Sequence, residues 1–258
     1  MIDPIEKLPD QKKIFFASDF HLGVPDYESS LKREKKIVKW LNSIKQEAHS
    51  LYILGDIFDF WFEYKTAIPK GYVRLQGKFA EFTDDGIPVN FFTGNHDMWM
   101  FDYFPKEFNI PIYREPQLLQ VQGKKLLIGH GDGLGPGDNL FKVQKQVFKN
   151  PLAQWLFARF HPNFGIGFAN YLSRKSRIRN SSIDEIFKNE EEWLYVYCKE
   201  VEKNEHHDLY IFGHRHLPLD LKVGENSRYI NLGEWVNYFT YGEFNGENFK
   251  LLTFDEKD

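Results

Sequence analysis

Short apolar segments that stop abruptly at polar residues recur along the chain, and each predicts a buried β-strand. They cover residues 13–18, 51–54, 89–93, 125–128 and 208–212. Apolar residues at helical spacing fill residues 29–48 and 71–82, between the first three segments. Strands that alternate with helices in this way are typical of an α/β fold with parallel strands.

The rest of the chain follows other patterns. A hairpin is predicted around Gly123, and a long helical pattern covers residues 139–203. The tail alternates apolar and polar residues between Gly and Asn turns, which predicts antiparallel strands that close a sheet. These tail segments are residues 228–232, 236–244 and 248–254. We therefore expect a core formed by residues 1–133 and 204–258, interrupted by a helical insertion at 134–203.

The polar residues that follow the predicted strands are of kinds that bind metals. They are Asp19, His21, Asp56, Asn95, His130, His214 and His216. With His96, five of the nine histidines of the chain lie at these strand ends. Open α/β sheets bind their ligands at the carboxyl ends of the strands. A single histidine there most often has a structural role, but five at one edge of a sheet predict a metal site.

The ligand types limit which metals are expected. Carboxylates, imidazoles and an amide without any thiolate form a site that suits Mn²⁺, Fe or Zn. Calcium is disfavoured by so much imidazole. Because there are too many ligands for one ion, two divalent ions bridged by one carboxylate are expected. Such a pair clamps the attacking and leaving oxygens of a phosphoryl displacement.

Composition restricts the location and the partners. A net charge of -4 argues against nucleic acid as a partner of the whole chain. No apolar segment approaches the roughly 20 residues of a spanning helix, and the polar N-terminus lacks the apolar core of a secretory signal. The single cysteine, Cys198, fits a reducing compartment. We expect a cytoplasmic protein that can still contact a membrane surface.

The insertion contrasts with the rest of this acidic chain. Residues 139–183 contain no Asp or Glu, and basic residues there are interleaved with aromatic ones such as Trp155, Phe160 and Phe164. This pattern is typical of a surface that meets anionic lipid or an anionic substrate with acyl chains. An ordinary pair of amphipathic helices with a solvated basic face fits the pattern equally well.

The five motifs, in this order, resemble those of the calcineurin-like metallophosphoesterases. They are Asp19-x-His21, Gly55-Asp56-x-x-Asp59, Gly94-Asn95-His96-Asp97, Gly129-His130 and Gly213-His214-x-His216. The resemblance covers most of the chain and implies a four-layer α/β sandwich, with two β-sheets flanked by helices and the insertion as a helical cap. It also implies a dinuclear metal-dependent hydrolase of phosphoesters or phosphoric anhydrides.

This resemblance assigns roles to the motif residues. One metal ion would bind Asp19, His21 and His216. The other would bind Asn95, His130 and His214. Asp56 would bridge the two ions, and Asp59 would orient a metal ligand. His96, oriented by Asp97, would stabilise charge on the transferred group or protonate the leaving oxygen.

Further segments resemble, within this superfamily, the UDP-2,3-diacylglucosamine hydrolases of lipid A biosynthesis. They are residues 52–61, residues 130–134 with Asp138, and Ser176 with residues 180–182. The resemblance implies cleavage of an anionic nucleotide-sugar lipid to UMP and 2,3-diacylglucosamine 1-phosphate, by a protein bound peripherally to the inner face of the cytoplasmic membrane. The implied substrate contacts are Asn95, His96, Asp138, Ser176, Asn180 and His214.

Two positions depart from these hydrolases, and other functions stay open. His96 stands where they carry Arg, and Ile183 stands where they carry Lys. Both differences concern the substrate, so a metallophosphoesterase acting on another nucleotide or phosphodiester is the alternative. A non-catalytic binding scaffold would be expected to lack metal ligands or His96, and this chain has both.

Overall fold

The computed structural model of the chain describes residues 2–136, 139–169, 171, 173 and 192–255. The strands are β1 (Lys13–Ala17), β2 (Ala48–Leu54), β3 (Val89–Phe92), β4 (Ile112–Tyr113), β5 (Gln117–Val121), β6 (Lys124–Ile128), β7 (Leu209–Phe212), β8 (Pro218–Lys222), β9 (Arg228–Leu232), β10 (Thr240–Phe244) and β11 (Phe249–Thr253). The helices are α1 (Tyr27–Ile44), α2 (Val73–Asp84), α3 (Tyr103–Phe108), α4 (Asn139–Lys149), α5 (Pro151–Phe157), α6 (162–169) and α7 (Trp193–Glu202).

The strands form two mixed sheets. The six-stranded sheet has the order β11-β10-β1-β2-β3-β4, and the five-stranded sheet has the order β5-β6-β7-β9-β8. Strands β1 to β4 run parallel, as do β6, β7 and β9. The carboxyl ends of β1, β2 and β3 therefore share one edge of the first sheet, and those of β6, β7 and β9 share one edge of the second.

The tail is divided between the two sheets. Strand β9 pairs parallel to β7 in the five-stranded sheet, whereas β10 and β11 pair antiparallel beside β1 in the six-stranded sheet. The predicted antiparallel pairing holds for β10 and β11, and β9 pairs antiparallel to β8 as well as parallel to β7, but the prediction of a single sheet is wrong. Alternating apolar residues fit either pairing direction, so the pattern alone does not select the partner.

The apolar side chains of β1 show how the layers are built. Ile14 and Phe16 point into the space between the sheets, where they pack with residues of β5, β6, β7 and β9. Phe15 and Ala17 point to the other face and pack with α1 and α2. The period of two in a strand produces this division. Fully burying a side chain such as Phe16 contributes about 1.5–3 kcal/mol.

Helix α7 covers the outer face of the second sheet. Leu194 and Cys198 on this helix are fully buried against Tyr210, Phe212 and Tyr229 of β7 and β9. The order of layers is therefore helix, sheet, sheet, helix, which confirms the expected four-layer α/β fold. Cys198 is a core residue, and burial raises the pKa of its thiol.

Helices α4 and α5 lie over loops that follow β2 and β3. The indole Nε1–H of Trp99 donates to the carbonyl oxygen of Phe148 at 2.8 Å, and the Phe157 ring lies 4.7 Å from Phe62 and 4.8 Å from Trp99, between centroids. These contacts fix the start of the insertion on the core. In the part of the chain that the structure describes, every helix is too short or too polar to cross a bilayer.

Candidate metal centre

The loops after the parallel strands place the predicted metal ligands in an unusual backbone conformation. Five of the seven predicted ligands have φ angles between 45° and 69°, in the left-handed region that non-glycine residues seldom adopt. The five are Asp19, His21, Asp56, His214 and His216. Each residue held in such a conformation destabilises the fold by about 1–3 kcal/mol, and such residues cluster at functional sites.

One group of ligand atoms forms where the ends of β1, β2 and β7 meet. Atoms of Asp19, His21, Asp56 and His216 all lie within 4.8 Å of one another. The Nε2 atoms of His21 and His216 are 3.0 Å apart, and Nε2 of His216 is 3.3 Å from Oδ1 of Asp19. Two imidazole nitrogens and a carboxylate oxygen directed at one point are suited to a divalent cation.

A second group lies next to the first and shares Asp56 with it. Nε2 of His130 is 3.4 Å from Oδ2 of Asp56 and 3.2 Å from Oδ1 of Asn95, and the His214 ring centroid lies 5.1 Å from that of His130. Oδ2 of Asp56 is also 3.9 Å from Nε2 of His21. Asp56 therefore lies between the two groups.

Two carboxylate oxygens in this cluster are buried and accept no hydrogen bond from the described residues. They are Oδ1 of Asp19 and Oδ2 of Asp56. Burial of an unpaired carboxylate is costly unless a cation compensates it. Nδ1–H of His130 donates to the carbonyl oxygen of Leu54 at 2.7 Å, which leaves Nε2 directed at the cluster. These residues fit divalent metal ions.

The charged groups of the cluster shift one another's pKa values. Although burial opposes ionisation, the imidazoles of His130 and His96 hold the pKa of the Asp56 carboxyl well below its usual range. Burial also opposes the charged form of His130, but Asp56 raises its pKa to about 10. Burial, together with the nearby charge of His130, lowers the pKa of His214 to about 4. The carboxylates of Asp19 and Asp56 thus stay ionised inside the protein, as metal ligands must.

Two glycines let the backbone approach the ligand carboxylates closely. A Cβ atom added at Gly94 would lie 2.1 Å from Oδ1 of Asp56. One added at Gly213 would lie 2.4 Å from Oδ2 of Asp19. Both distances are far shorter than any contact a real Cβ makes, so the glycines of these two motifs are needed for packing around the ligands.

The surroundings of His96 differ from those expected from the sequence. Its Nδ1 lies 2.9 Å from the carbonyl oxygen of Asp59, and its backbone N–H donates to Oδ1 of Asp56. The Asp97 carboxylate was expected to orient this ring, but it is fully buried and accepts the backbone N–H groups of Ile57 and Gly94 at 2.7 and 2.8 Å. Asp97 therefore joins two ligand-bearing loops, and Asp59 takes the place beside the His96 ring.

Burial dominates the ionisation of Asp97. It raises the pKa of this carboxyl to about 7, and the nearby charge of Asp56 adds to the effect.

Asp59 lies between two histidines, because its Oδ1 is 3.7 Å from Nδ1 of His21 and 3.7 Å from Nδ1 of His96. This geometry supports the expectation that Asp59 orients a metal ligand.

A buried ion pair supports the loop that carries His214 and His216, and no pattern in the sequence predicts it. Arg215, between His214 and His216, is 2% exposed and bonds Glu192 through Nε at 2.5 Å and Nη2 at 3.1 Å. Glu192 directly precedes α7, so the pair ties this helix to the loop. Arginine and glutamate are solvated on most protein surfaces, and only the fold shows that these two are not.

A sixth strand end was also missed. Glu234 follows β9, is buried, and accepts the backbone N–H groups of Asn237 and Tyr238 at 2.8 and 3.2 Å. The adjacent Trp235 N–H donates to the carbonyl oxygen of Asp19 at 3.1 Å. Burial raises the pKa of the Glu234 carboxyl. Gly-Glu-Trp contains no Asp, Asn or His, the residue types found at the other five strand ends, so the sequence pattern did not include it.

The expected substrate contacts of the insertion lie outside the described residues. They are Asp138, Ser176 and Asn180, together with the position of Ile183. The described lysines of α4 contact the core or the first residues of the insertion. Nζ of Lys142 donates to the carbonyl oxygen of Gly135 at 2.6 Å, Lys145 pairs with Asp132 at 2.6 Å and Lys149 pairs with Glu115 at 2.5 Å.

Aromatic side chains of the insertion are exposed. Phe160, Phe164 and Phe168 are 50%, 62% and 50% exposed, and consecutive ring centroids are 5.7 and 6.1 Å apart. Together they form what we call the phenylalanine row. Arg159 lies over the half-exposed ring of Trp155 at 4.5 Å. Apolar patches of this kind on a folded protein mark surfaces for lipid, ligand or protein.

Comparisons with known proteins agree with these motifs. Residues 12–218 match the family model described as calcineurin-like phosphoesterase. A protein of Porphyromonas gingivalis named UDP-2,3-diacylglucosamine hydrolase is 34% identical over 261 residues, which cover 96% of this chain and 100% of the relative. A protein of the same name from Vibrio parahaemolyticus is 28% identical, covering 92% and 96% of the two chains. Among solved structures, the E. coli phosphoesterase Yfce shares 17% identity over 95% of both chains, with a TM-score of 0.47.

Proposed function

The chain belongs to the calcineurin-like phosphoesterase family, a family of hydrolases, and from this premise we propose that it cleaves UDP-2,3-diacylglucosamine. The products would be UMP and 2,3-diacylglucosamine 1-phosphate. The observation that carries the proposal is the buried cluster around Asp56, in which ligands from both sheets meet at one point. The Porphyromonas gingivalis relative supports the choice of substrate, because it is named UDP-2,3-diacylglucosamine hydrolase and its similarity covers 96% of this chain.

The cluster would hold two divalent ions, with Mn²⁺ as our choice and Fe or Zn as alternatives. Asp19, His21 and His216 would bind one ion, and Asp56 would bridge it to the other. Asn95, His130 and His214 would complete the second site. When bound, such a pair of ions activates water and stabilises charge on the phosphate that is attacked.

His96 would act on the leaving group. A carbonyl oxygen can only accept a hydrogen bond, so Nδ1 of His96 carries the proton that it shares with the oxygen of Asp59. The opposite nitrogen, Nε2, would donate to the substrate phosphate or to the leaving oxygen in the doubly protonated form of the ring. The side chain is 19% exposed, so a substrate in the site can reach it.

The insertion would bind the acyl chains, and the protein would lie on the inner face of the cytoplasmic membrane. The phenylalanine row offers three exposed rings to hydrocarbon. The lysines of α4 contribute less to this surface than the sequence pattern indicates, because they bind Gly135, Asp132 and Glu115. Asp138, Ser176 and Asn180 would contact the substrate head, and the cap would end before α7, which packs on the second sheet.

The substrate assignment is tested by incubating the protein with UDP-2,3-diacylglucosamine and Mn²⁺ and measuring UMP. We expect equal amounts of UMP and lipid 1-phosphate. UDP-N-acetylglucosamine, which keeps the diphosphate and lacks acyl chains, is the matched control and should be cleaved far more slowly. Turnover of small diesters alone, without UMP release from the lipid substrate, would refute the lipid assignment and favour another phosphodiester.

A further inference from the structure

A hydroxyl group from the insertion reaches the candidate site. Oγ of Ser173 lies 2.7 Å from Oδ2 of Asp59 and 3.1 Å from Nδ1 of His96. Ser173 is far from both residues in the sequence, and neither the motifs nor the substrate contacts expected for the insertion include it. It is the described residue through which the insertion contacts the Asp59–His96 pair directly.

The directions of the hydrogen bonds follow from the groups involved. The Asp59 carboxylate only accepts, so the Ser173 hydroxyl donates its proton to Oδ2. The lone pairs of Ser173 Oγ then face Nδ1 of His96. Because this nitrogen also donates to the carbonyl oxygen of Asp59 at 2.9 Å, its proton is shared between two acceptors. All three contacts agree on one arrangement, with the proton of His96 on Nδ1.

We propose that Ser173 is a positioning residue, which fixes the Asp59 carboxylate and the His96 ring for hydrolysis. With Oδ2 held by Ser173, Oδ1 of Asp59 stays 3.7 Å from Nδ1 of both His21 and His96. Without the hydroxyl, the carboxylate loses this hydrogen bond and the His96 ring loses one of its two acceptors. The inference rests on the proposed function in that His96 acts on the leaving group.

Kinetics of Ser173→Ala and Ser173→Thr test the proposal. Changing a residue that orients an active group typically lowers activity about 10–100-fold. We therefore expect kcat of Ser173→Ala to fall about ten-fold with KM unchanged. Metal content should equal that of the wild type. Ser173→Thr keeps the hydroxyl and should restore most of kcat. Tyr171→Phe, at an exposed position of the same segment, is the matched control and should match the wild type.

A double-mutant cycle shows whether the effect passes through His96. In a His96→Ala background, Ser173→Ala should cause a smaller loss of kcat than in the wild type, because one of the two groups that it positions is already absent. The Nδ1–H proton resonance of His96, recorded in the zinc-loaded protein, should move in Ser173→Ala and return in Ser173→Thr. An unchanged kcat in Ser173→Ala, an equal loss in the His96→Ala background, or an unchanged resonance would overturn the proposal.

Failure of the substrate assignment is distinguishable from failure of this proposal. If the lipid substrate is not cleaved but bis-p-nitrophenyl phosphate is, the same variants are compared on the diester, and a ten-fold loss in Ser173→Ala still supports the role of Ser173. If neither compound is cleaved, the proposed function fails and the His96 resonance alone decides whether Ser173 fixes the ring.

Discussion

His96 combines a fixed ring with access to solvent. Its Nδ1 is held by Asp59 and Ser173, whereas the predicted metal ligands His21 and His130 are almost completely buried. A histidine in this situation can change its hydrogen bonding during a reaction without disturbing the ligand cluster. That separation allows its chemical role to be tested without removing the metal ions.

We expect His96→Ala to lower kcat by about 10²–10⁴-fold, the usual contribution of a positioned acid or base. Metal content, measured by mass spectrometry, should stay at the wild-type value, because the side chain of His96 is not among the proposed ligands. His161→Ala, at an exposed histidine on the insertion, is the control. A wild-type kcat in His96→Ala would show that His96 takes no part in the reaction.

Gly94→Ala tests the packing around Asp56. The new Cβ would overlap Oδ1 of Asp56, so the carboxylate must move away from its bridging position. We expect the variant to lose most of its bound metal and its activity. Gly77→Ala is the control, because that glycine lies in α2 with no atom within 4 Å of the added Cβ. It should stabilise the helix by up to about 1 kcal/mol. Full metal binding by Gly94→Ala would contradict the assigned role of Asp56.

The residue types of the site could be predicted from the sequence, but their contacts could not. Asp19, His21 and His216 do come together, because the carboxyl end of β1 in the first sheet meets that of β7 in the second. The partner of His96 was misassigned to Asp97, its neighbour in the sequence. The loop turns Asp97 inward to accept two backbone N–H groups, and Asp59 approaches from another strand end instead.

Helix α7 shows where the structure departs from the helical pattern of the sequence. Its apolar residues continue the helical pattern of the insertion, so the sequence offered no reason to separate it from the segment before it. In the structure it packs on β7 and β9, and Glu192 at its start holds Arg215 between two predicted ligands. The predicted boundary of the insertion at residue 203 stays a prediction, and the packing of α7 favours an earlier one.

The C-terminal end of α7 is tied to the second sheet through a carboxylate. Glu202 accepts hydrogen bonds from Ser227 at 2.6 Å, from Tyr210 at 2.7 Å and from the backbone of His207 at 3.1 Å, and Nδ1 of His206 lies 2.7 Å away. Burial opposes ionisation, but these bonds outweigh it and lower the pKa of Glu202 to about 2.

This network predicts a pH dependence of stability. Because the pKa in the folded state lies below the ordinary value of 4.5, the stabilisation is complete above about pH 4.5 and is lost as the pH falls toward 2. Between pH 5.5 and pH 3, the free energy of unfolding should fall on the order of 2 kcal/mol more in the wild type than in Glu202→Gln. Urea unfolding measures this. Glu200→Gln, at an exposed carboxylate of α7, is the control and should behave as the wild type. Equal pH dependence in Glu202→Gln and the wild type would refute the role of Glu202.

At the scale of the whole molecule, the family resemblance implied the four layers and the apolar pattern indicated the buried faces of the strands. Neither indicated the surface of the insertion. Alternating residues with a period of two determine which faces are buried, and this holds in both sheets. The charge pattern of α4 did not show which way its lysines point. They extend toward Gly135, Asp132 and Glu115, so the exposed surface of the described insertion is more apolar than its composition indicates.

The phenylalanine row should therefore dominate membrane binding. Phe164→Asn and Phe168→Asn should each weaken binding to anionic phospholipid vesicles about ten-fold, since burying a Phe ring contributes about 1.5–3 kcal/mol. Sedimentation with vesicles measures this. Val73→Asn, at an apolar position of α2 with 72% exposure, is the control. Unchanged binding by both Phe variants would assign the row to a partner other than lipid.

The meeting of ligands from two sheets has a consequence for folding. Asp19, His21 and Asp56 follow strands of the first sheet, whereas His130 and His214 follow strands of the second. A cation bound there would couple the association of the sheets to the concentration of free metal, adding about 2.7 kcal/mol at one hundred times the dissociation constant. Chelation should lower the melting temperature as well as stop turnover. The cellular lifetime of the folded chain would then depend on metal supply, so scarcity would reduce the amount of protein as well as its activity.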